Sequence, residues 1–310
     1  MTHLSFFFCL GQYLTFFVLL FSKTLFNLKA FPPKKHTKLN THSAIPKVEE
    51  NMKLIDAHIH LSDNEYATHV DELILDAENA DVKALVSNAM DLETSIDTLR
   101  VVKKYPNKVY GALGIHPWNV NVLKKNELEE TLQLITDQSD KGNVVAIGEI
   151  GLDSKYKDIW EKQLMVFDKM LQLAEKLNLP VIVHSRGTTA QIVEMLPSYE
   201  LKHVLLHWFS YPLTALSEAI SHGYFITEGP PAIYSKGIRE VIAQTPLTNL
   251  LTETDGPVKY WKQPFNGQLT KPSFISKVVQ AVAEIKNTSQ EKVAEQIAKN
   301  FEEFFKVKLS

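Results

Sequence analysis

The 310-residue sequence predicts a single (β/α)8 TIM barrel of the α/β class, with a metal site at the C-terminal ends of its strands. Three observations lead there. Short β-branched or apolar runs alternate with longer amphipathic stretches, as parallel βα units do. The patterned part of the chain, residues 52–310, has the length of one such barrel. Residues able to bind metal stand just after several of the apolar runs, where barrel active sites are built. An open doubly wound sheet is the competing architecture, but no G-x-G-x-x-G follows the first strand.

The chain opens with a segment unlike the rest. No charged residue lies between Leu4 and Ser22, and Phe6-Phe7-Phe8 and Val18-Leu19-Leu20-Phe21 make that stretch densely apolar. It is long enough for a helix to cross a bilayer, which takes about 20 residues. Residues 1–51 have three readings. A cleaved signal peptide lacks both a basic residue before the apolar run and a small-x-small cleavage site. A signal anchor with its Lys residues on the C-terminal side would keep the following domain in the cytoplasm. The preferred reading is that translation starts at Met52, immediately before the domain. A cytoplasmic location is expected, with membrane contact only if 4–22 is a genuine anchor.

The barrel elements follow in order. Lys53–Ala57, Ala84–Ser87, Val109–Leu113, Val144–Ile147, Val181–Val183, Val204–Leu206, Tyr224–Ile226 and Leu250–Thr252 read as eight strands. Between the fourth and fifth, Ile159–Leu177 carries apolar residues at 160, 164, 167, 171 and 174, a helical period. Ile192–Leu196 reads as a shorter helix. Phe274–Ile285 and Gln290–Phe305 follow the eighth strand as helices.

Composition narrows the function. The chain carries 33 Lys+Arg and 36 Asp+Glu, and six of the basic and two of the acidic residues fall in 1–51, so residues 52–310 have a formal charge of −7. That domain has no Lys/Arg run, which argues against tight non-specific binding of duplex nucleic acid. The one cysteine, Cys9, lies in the extension and excludes a disulfide framework.

His58, His60, His116, His184 and His207 all follow predicted strands. His58 and His60 form an H-x-H pair, and alternate residues of a strand face one side. Glu149 ends the fourth strand and Asp255 the eighth. Taken singly, each residue is weak evidence, since a lone His at a strand end is more often a hydrogen-bonded structural residue. Taken together, four imidazoles and two carboxylates on one rim suit a pair of divalent cations, with Zn, Mn, Fe, Co or Ni all matching such donors. A Glu between two cations can bridge them, and a cation pair lowers the pKa of water. Asp255 is the candidate general base. Asp56 reads as structural or supporting rather than ligating. Asp153 either holds the Glu149 loop or is a solvated carboxylate. Glu253 is left outside the metal set, and His69, His203 and His222 read as structural or surface residues.

Asp56-Ala57-His58-Ile59-His60, Gly114-Ile115-His116-Pro117, Gly148-Glu149-Ile150-Gly151-Leu152-Asp153, His184-Ser185-Arg186, His207-Trp208-Phe209-Ser210 and Thr252-Glu253-Thr254-Asp255-Gly256-Pro257 resemble the successive motifs of the TatD family of metal-dependent hydrolases. The resemblance runs in order through 52–305 and leaves out 1–51. The segment Glu228–Lys236 resembles the family's archaeal branch. Trp208 stands where the family commonly has Cys, and Tyr211 where Gly is frequent, so the pocket departs from the family pattern. The resemblance implies two divalent cations, Mg, Mn or Zn. His58, His60, Glu149 and Asp255 would hold the first, and Glu149, His184 and His207 the second. It also implies that His116 lies near the scissile phosphate and that Arg186 donates to a phosphate oxygen.

The implied activity is hydrolysis of phosphodiester bonds, as in a deoxyribonuclease. An amidase or lactonase on the same barrel is the alternative, because the same metal pair activates water for either. A membrane-anchored binding protein with an inactive barrel is a third reading, which the complete ligand set opposes. Arg186, Lys236, Arg239, Lys259 and Lys262 are candidate phosphate partners, and Trp208, Tyr234, Tyr260 and Trp261 candidate stacking residues. A DNA strand end or short oligonucleotide is the expected substrate. Every expected ligand and strand lies after Met52. A chain begun at Met52 is therefore expected to fold and to hydrolyse substrate with added Mg or Mn. Circular dichroism and turnover measure this, and an unfolded or inactive product contradicts the boundary.

Overall fold

The computed structural model describes residues 52–309, so the apolar stretch 4–22 and the readings of 1–51 lie outside the described residues. Among the described residues, no helix is long and apolar enough to cross a membrane. Eight parallel strands form one sheet in chain order. They are β1 (Leu54–Ile59), β2 (Val82–Asn88), β3 (Val109–Leu113), β4 (Ala146–Gly151), β5 (Val181–His184), β6 (Val204–Leu206), β7 (Phe225–Glu228) and β8 (Leu250–Thr252). The helices are α1 (Val70–Asn79), α2 (Leu92–Lys104), α3 (Glu127–Ser139), α4 (Trp160–Leu177), α5 (Thr189–Met195), α6 (Leu213–Ser221), α7 (Lys236–Gln244), α8 (Ile275–Lys286) and α9 (Gln290–Phe305). Each βα unit buries the apolar stripe of its helix against the sheet. Ile147, Val183 and Leu206 of the strands cluster with Phe167, Met170 and Leu171 of α4. Ile55, Leu85 and Leu251 cluster with Val278 and Val282 of α8 and Phe301 of α9. Each such side chain contributes about 1.5–3 kcal/mol by leaving water.

Five strands run further than the apolar pattern predicts, β2 by one residue to Asn88. The other four, β1, β4, β5 and β7, continue through His58, Glu149, His184 and Glu228. A barrel strand is enclosed on both faces, so its ladder continues through polar residues that face the site. The hydrophobic pattern ends earlier than the hydrogen bonding does. Gly151 ends β4 opposite His184. Its φ is +145°, and a Cβ there would lie 2.0 Å from the His184 carbonyl oxygen. Only glycine lets the two strands approach this closely beside the site.

The barrel closes at the β8–β1 seam with unusual help from side chains. Thr252 Oγ1 donates to the Ile55 carbonyl at 2.6 Å. The Asp56 carboxylate accepts the Thr254 N–H at 2.9 Å and the Thr254 hydroxyl at 2.6 Å. Backbone bonds run from Asp255 N to His58 O at 2.9 Å and from His60 N to Gly256 O at 2.8 Å. Asp56 is thus a structural clamp, and the seam it fastens is where His58, His60 and Asp255 meet.

Helix α9 supports the same seam from outside. The buried Asn300 amide donates to the carbonyls of Leu247 and Leu250, both at 2.7 Å. Replacing Asn300 with Leu leaves both carbonyls without that donor inside the protein. A loss of about 1–3 kcal/mol is expected, measured by urea unfolding. An unchanged midpoint and slope would show that α9 docks by apolar packing alone.

Candidate metal centre

The site is organised around one carboxylate. Glu149 is 2% exposed and its two oxygens face two separate groups of imidazoles. Oε2 lies 3.3 Å from His58 Nε2 and 3.2 Å from His60 Nε2. Asp255 Oδ1 completes that group at 3.5 Å from each of the same two nitrogens. Oε1 lies 2.8 Å from His207 Nε2, 2.9 Å from His184 Nδ1 and 3.2 Å from His116 Nε2. The expected residues His58, His60, Glu149, His184, His207 and Asp255 therefore all converge.

The first group fits a metal ion. Atoms bound tetrahedrally at about 2.0–2.2 Å from one ion are separated by roughly 3.4 Å, and the measured separations run from 3.2 to 3.5 Å. His58 and His60 point their Nε2 atoms at each other across 3.2 Å. Two buried nitrogens that close need a shared cation or proton between them. Among the described residues, ligand-type atoms of His58, His60 and Asp255, of His58, Glu149 and His207, and of His116, Glu149 and His184 gather closely enough to hold an ion.

The ring nitrogens facing away from the centre fix the tautomers. His60 Nδ1 is 3.0 Å from the Asn88 carbonyl, so it carries the proton and leaves Nε2 free to ligate. His184 Nε2 donates to Asp153 at 2.9 Å, which frees Nδ1. His207 Nδ1 lies 3.5 Å from Glu253 Oε2, which favours a free Nε2. His116 has the opposite arrangement. Its Nδ1 accepts the Trp118 backbone N–H at 3.1 Å, placing the proton of the neutral ring on Nε2. His116 is in this form a hydrogen-bond donor beside the ligands.

The electrostatics follow from burial and these contacts. Burial works to raise the Glu149 carboxyl, but the imidazoles of His116, His207 and His58 hold it well below the usual carboxylate range. Burial opposes the charged form of His60, yet its bonds to Asp255 and Glu149 push it up to about 10. His207 is raised against its burial by Glu149 and Glu253, and His184 against its burial by Asp153 and Glu149. Burial and the neighbouring His207 lower His58. Burial takes His116 down to about 4, so it stays neutral at physiological pH. The carboxylates thus draw positive charge onto the cluster, where protons and divalent cations compete for the same lone pairs.

Several residues hold positions other than those expected. Arg186 pairs with Asp153, with Nη2 donating at 2.8 Å and Nε at 3.1 Å. Asp153 is fully buried, not solvated, and also accepts the Trp118 indole N–H at 2.6 Å. Tyr260 is buried with its hydroxyl donating to the Thr254 carbonyl, so it is not a stacking surface. Trp208 and Trp261 line the pocket above the centre, a cavity of about 630 Å³, whereas Tyr234 sits under Lys262. Of the proposed phosphate partners, Arg186 and Lys259 reach that cavity, while Arg239 donates to the Ala232 carbonyl. Glu253, left out of the sequence assignment, stands behind His207. His69 bonds Glu72, and His203 and His222 pack on Phe304 and Tyr224, away from the site.

Comparison with known proteins agrees with this arrangement. The family model described as TatD related DNase matches residues 55–306. A metal-dependent hydrolase of Methanocaldococcus jannaschii is 31% identical over 259 residues, covering 84% of this chain and 99% of that protein. The human deoxyribonuclease TATDN3 is 30% identical over 258 residues, covering 80% of this chain and 92% of its own. The crystal structure of the Escherichia coli TatD homologue YjjV superposes with a TM-score of 0.77 at 30% identity, covering 83% of this chain and all of that one. The order of the motifs, the barrel and the ligand cluster converge on one assignment: the chain belongs to the TatD family of metal-dependent hydrolases.

Proposed function

We propose that this protein is a two-metal phosphodiesterase that cleaves DNA at a strand end or in a short oligonucleotide. The observation carrying this reading is the division of Glu149, one oxygen toward His58 and His60 and the other toward His184 and His207. His58, His60, Asp255 and Glu149 Oε2 would hold one divalent cation, and Glu149 Oε1, His184 and His207 a second. When bound, such cations supply Lewis acidity to phosphoryl oxygens and lower the pKa of water. The name of the human relative, a deoxyribonuclease, supports DNA as the substrate.

The chain's own residues supply the remaining functions. Asp255 stays ionised, because its bond to His60 and the nearby His207 and His58 overcome the effect of burial. It can therefore accept the proton of the attacking water. His116, neutral with its proton on Nε2, directs that N–H at Glu149 Oε1, 3.2 Å away, and would stand beside the phosphate. Arg186 and Lys259 are the cations lining the cavity, alongside Asp63 and Glu65, and Lys259 is paired with Glu65 at 2.8 Å. So sparse a positive rim, with the −7 charge of residues 52–310, supports a strand end reaching into the cavity over a duplex lying across it. Metal analysis of the purified protein, with a panel of oligonucleotides and p-nitrophenyl esters, tests the reading. Turnover of carboxylic esters or lactones without any of phosphodiesters would replace it by the lactonase alternative.

Glu149→Gln keeps the shape but removes the charge facing both cations, so metal counts after dialysis should fall toward zero. His184→Ala or His207→Ala should instead remove close to one ion per chain. Full occupancy in Glu149→Gln would take the bridging role away from this residue.

Asp255→Asn keeps an oxygen ligand but cannot take a proton at neutral pH. Turnover at saturating metal should fall by about 10²–10⁴-fold, with the far-UV spectrum unchanged. Near-normal turnover under those conditions would leave Asp255 as a ligand alone.

A further inference from the structure

One wall of the cavity is a stacked pair of side chains that the metal chemistry does not require. Asp153 Oδ2 accepts from His184 Nε2, from the Trp118 indole and from Arg186 Nη2, while Oδ1 accepts Arg186 Nε and the Lys155 backbone. One buried carboxylate thus fixes a metal-site imidazole and two cavity-lining side chains in a single frame. The Arg186 guanidinium carbon lies 5.1 Å from the Trp118 ring centre, a cation stacked on an indole. Trp118 remains 39% exposed although its N–H is satisfied. Core packing does not explain a wide aromatic surface held rigid in an open cavity. Trp118 meets the His116 ring edge to face, with centres 4.7 Å apart. His116 in turn reaches Glu149. The platform therefore begins one ring away from the place where a phosphate would react.

We propose that Trp118 and Arg186 form a stacking subsite for the nucleobase of the nucleotide adjoining the scissile phosphate. This rests on the phosphodiesterase reading and deepens it. The chemistry selects a planar ring over a second phosphate. Asp153 offsets the charge of Arg186 and engages two of its nitrogens, so what the guanidinium offers is its flat face. Guanidinium and indole faces stack any base with little regard to sequence. The subsite reads the presence of a base rather than its identity.

The test compares oligonucleotides that carry a base or a single abasic residue on either side of the terminal phosphodiester, at saturating metal. The full-length enzyme should favour the base-bearing end in kcat/KM by about 10-fold or more at one of the two positions. In Trp118→Ala that preference should shrink to within about twofold of unity, while Trp118→Phe keeps most of it. Trp118→Leu, which retains apolar volume without a π face, should behave like the Ala variant. Each preference is a ratio measured on one protein, so partial loss of folding or metal cancels. Equal cleavage of base-bearing and abasic ends by the unsubstituted enzyme overturns the subsite and leaves the phosphodiesterase reading standing. Full preference retained in both Trp118→Ala and Trp118→Leu also overturns it. No cleavage of any oligonucleotide overturns the phosphodiesterase reading, and the subsite falls with it.

Discussion

Everything at the C-terminal end of this barrel is arranged around a buried carboxylate among five imidazoles. Glu149 sits inside β4 with each oxygen within 3.3 Å of at least two ring nitrogens. An isolated carboxylate at that depth would be neutralised rather than ionised. It is kept ionised because β1, β3, β5 and β6 each deliver a ring from a different side. The constraint acts in both directions, since the same negative charge holds several of those rings ready for positive charge. Cation binding and folding are coupled in such a cluster, because the ligands come together only in the closed barrel.

The outer contacts decide what each ring can do. Asn88, Asp153 and Glu253 stand behind His60, His184 and His207, and leave each with a nitrogen free toward the centre. The Trp118 backbone does the reverse for His116 by occupying its Nδ1. Four residues of one type thus fall into two functions without any difference in side-chain chemistry. The sorting is done by one carbonyl, two carboxylates and one backbone N–H.

The sequence alone carried the barrel and the residues that converge at its mouth, because both rest on order along the chain. Eight apolar runs and the residues that follow them are visible without knowing any distance. The apolar runs stop at Ile147 and Val183 while β4 and β5 continue to Gly151 and His184, because polar residues end the hydrophobic pattern where the hydrogen-bonded ladder goes on. Asp153, Glu253 and Asn300 escaped a firm assignment for a different reason. Their partners lie far off in sequence, Asp153 with Trp118 and His184, Glu253 with His207 and Asn300 with Leu250. No local pattern marks a residue whose role depends on which strand lies beside it. Tyr260 looked like a stacking residue because aromatic type is legible in sequence and burial of a loop is not.

Beneath the ligands lies a second acidic layer whose behaviour burial decides. Glu228 at the end of β7 and Glu253 past β8 are both fully buried, and neither carboxylate has a hydrogen-bond partner. Burial first, and then the neighbouring Glu253, push the Glu228 carboxyl well above its ordinary range, so it keeps its proton at neutral pH. A protonated carboxyl adds volume and polarity to the barrel without adding charge. Glu253 Oε2 in turn faces His207 Nδ1 at 3.5 Å. A carboxylate behind an imidazole raises the electron density that the other ring nitrogen offers to a cation. Glu149 and Asp255 are thus held ionised where the imidazoles gather, whereas Glu228 is driven toward its neutral form. Two ionised carboxylates in the deeper layer would repel each other in a low dielectric. Driving the Glu228 carboxyl toward its neutral form avoids that repulsion and leaves Glu253 in place behind His207.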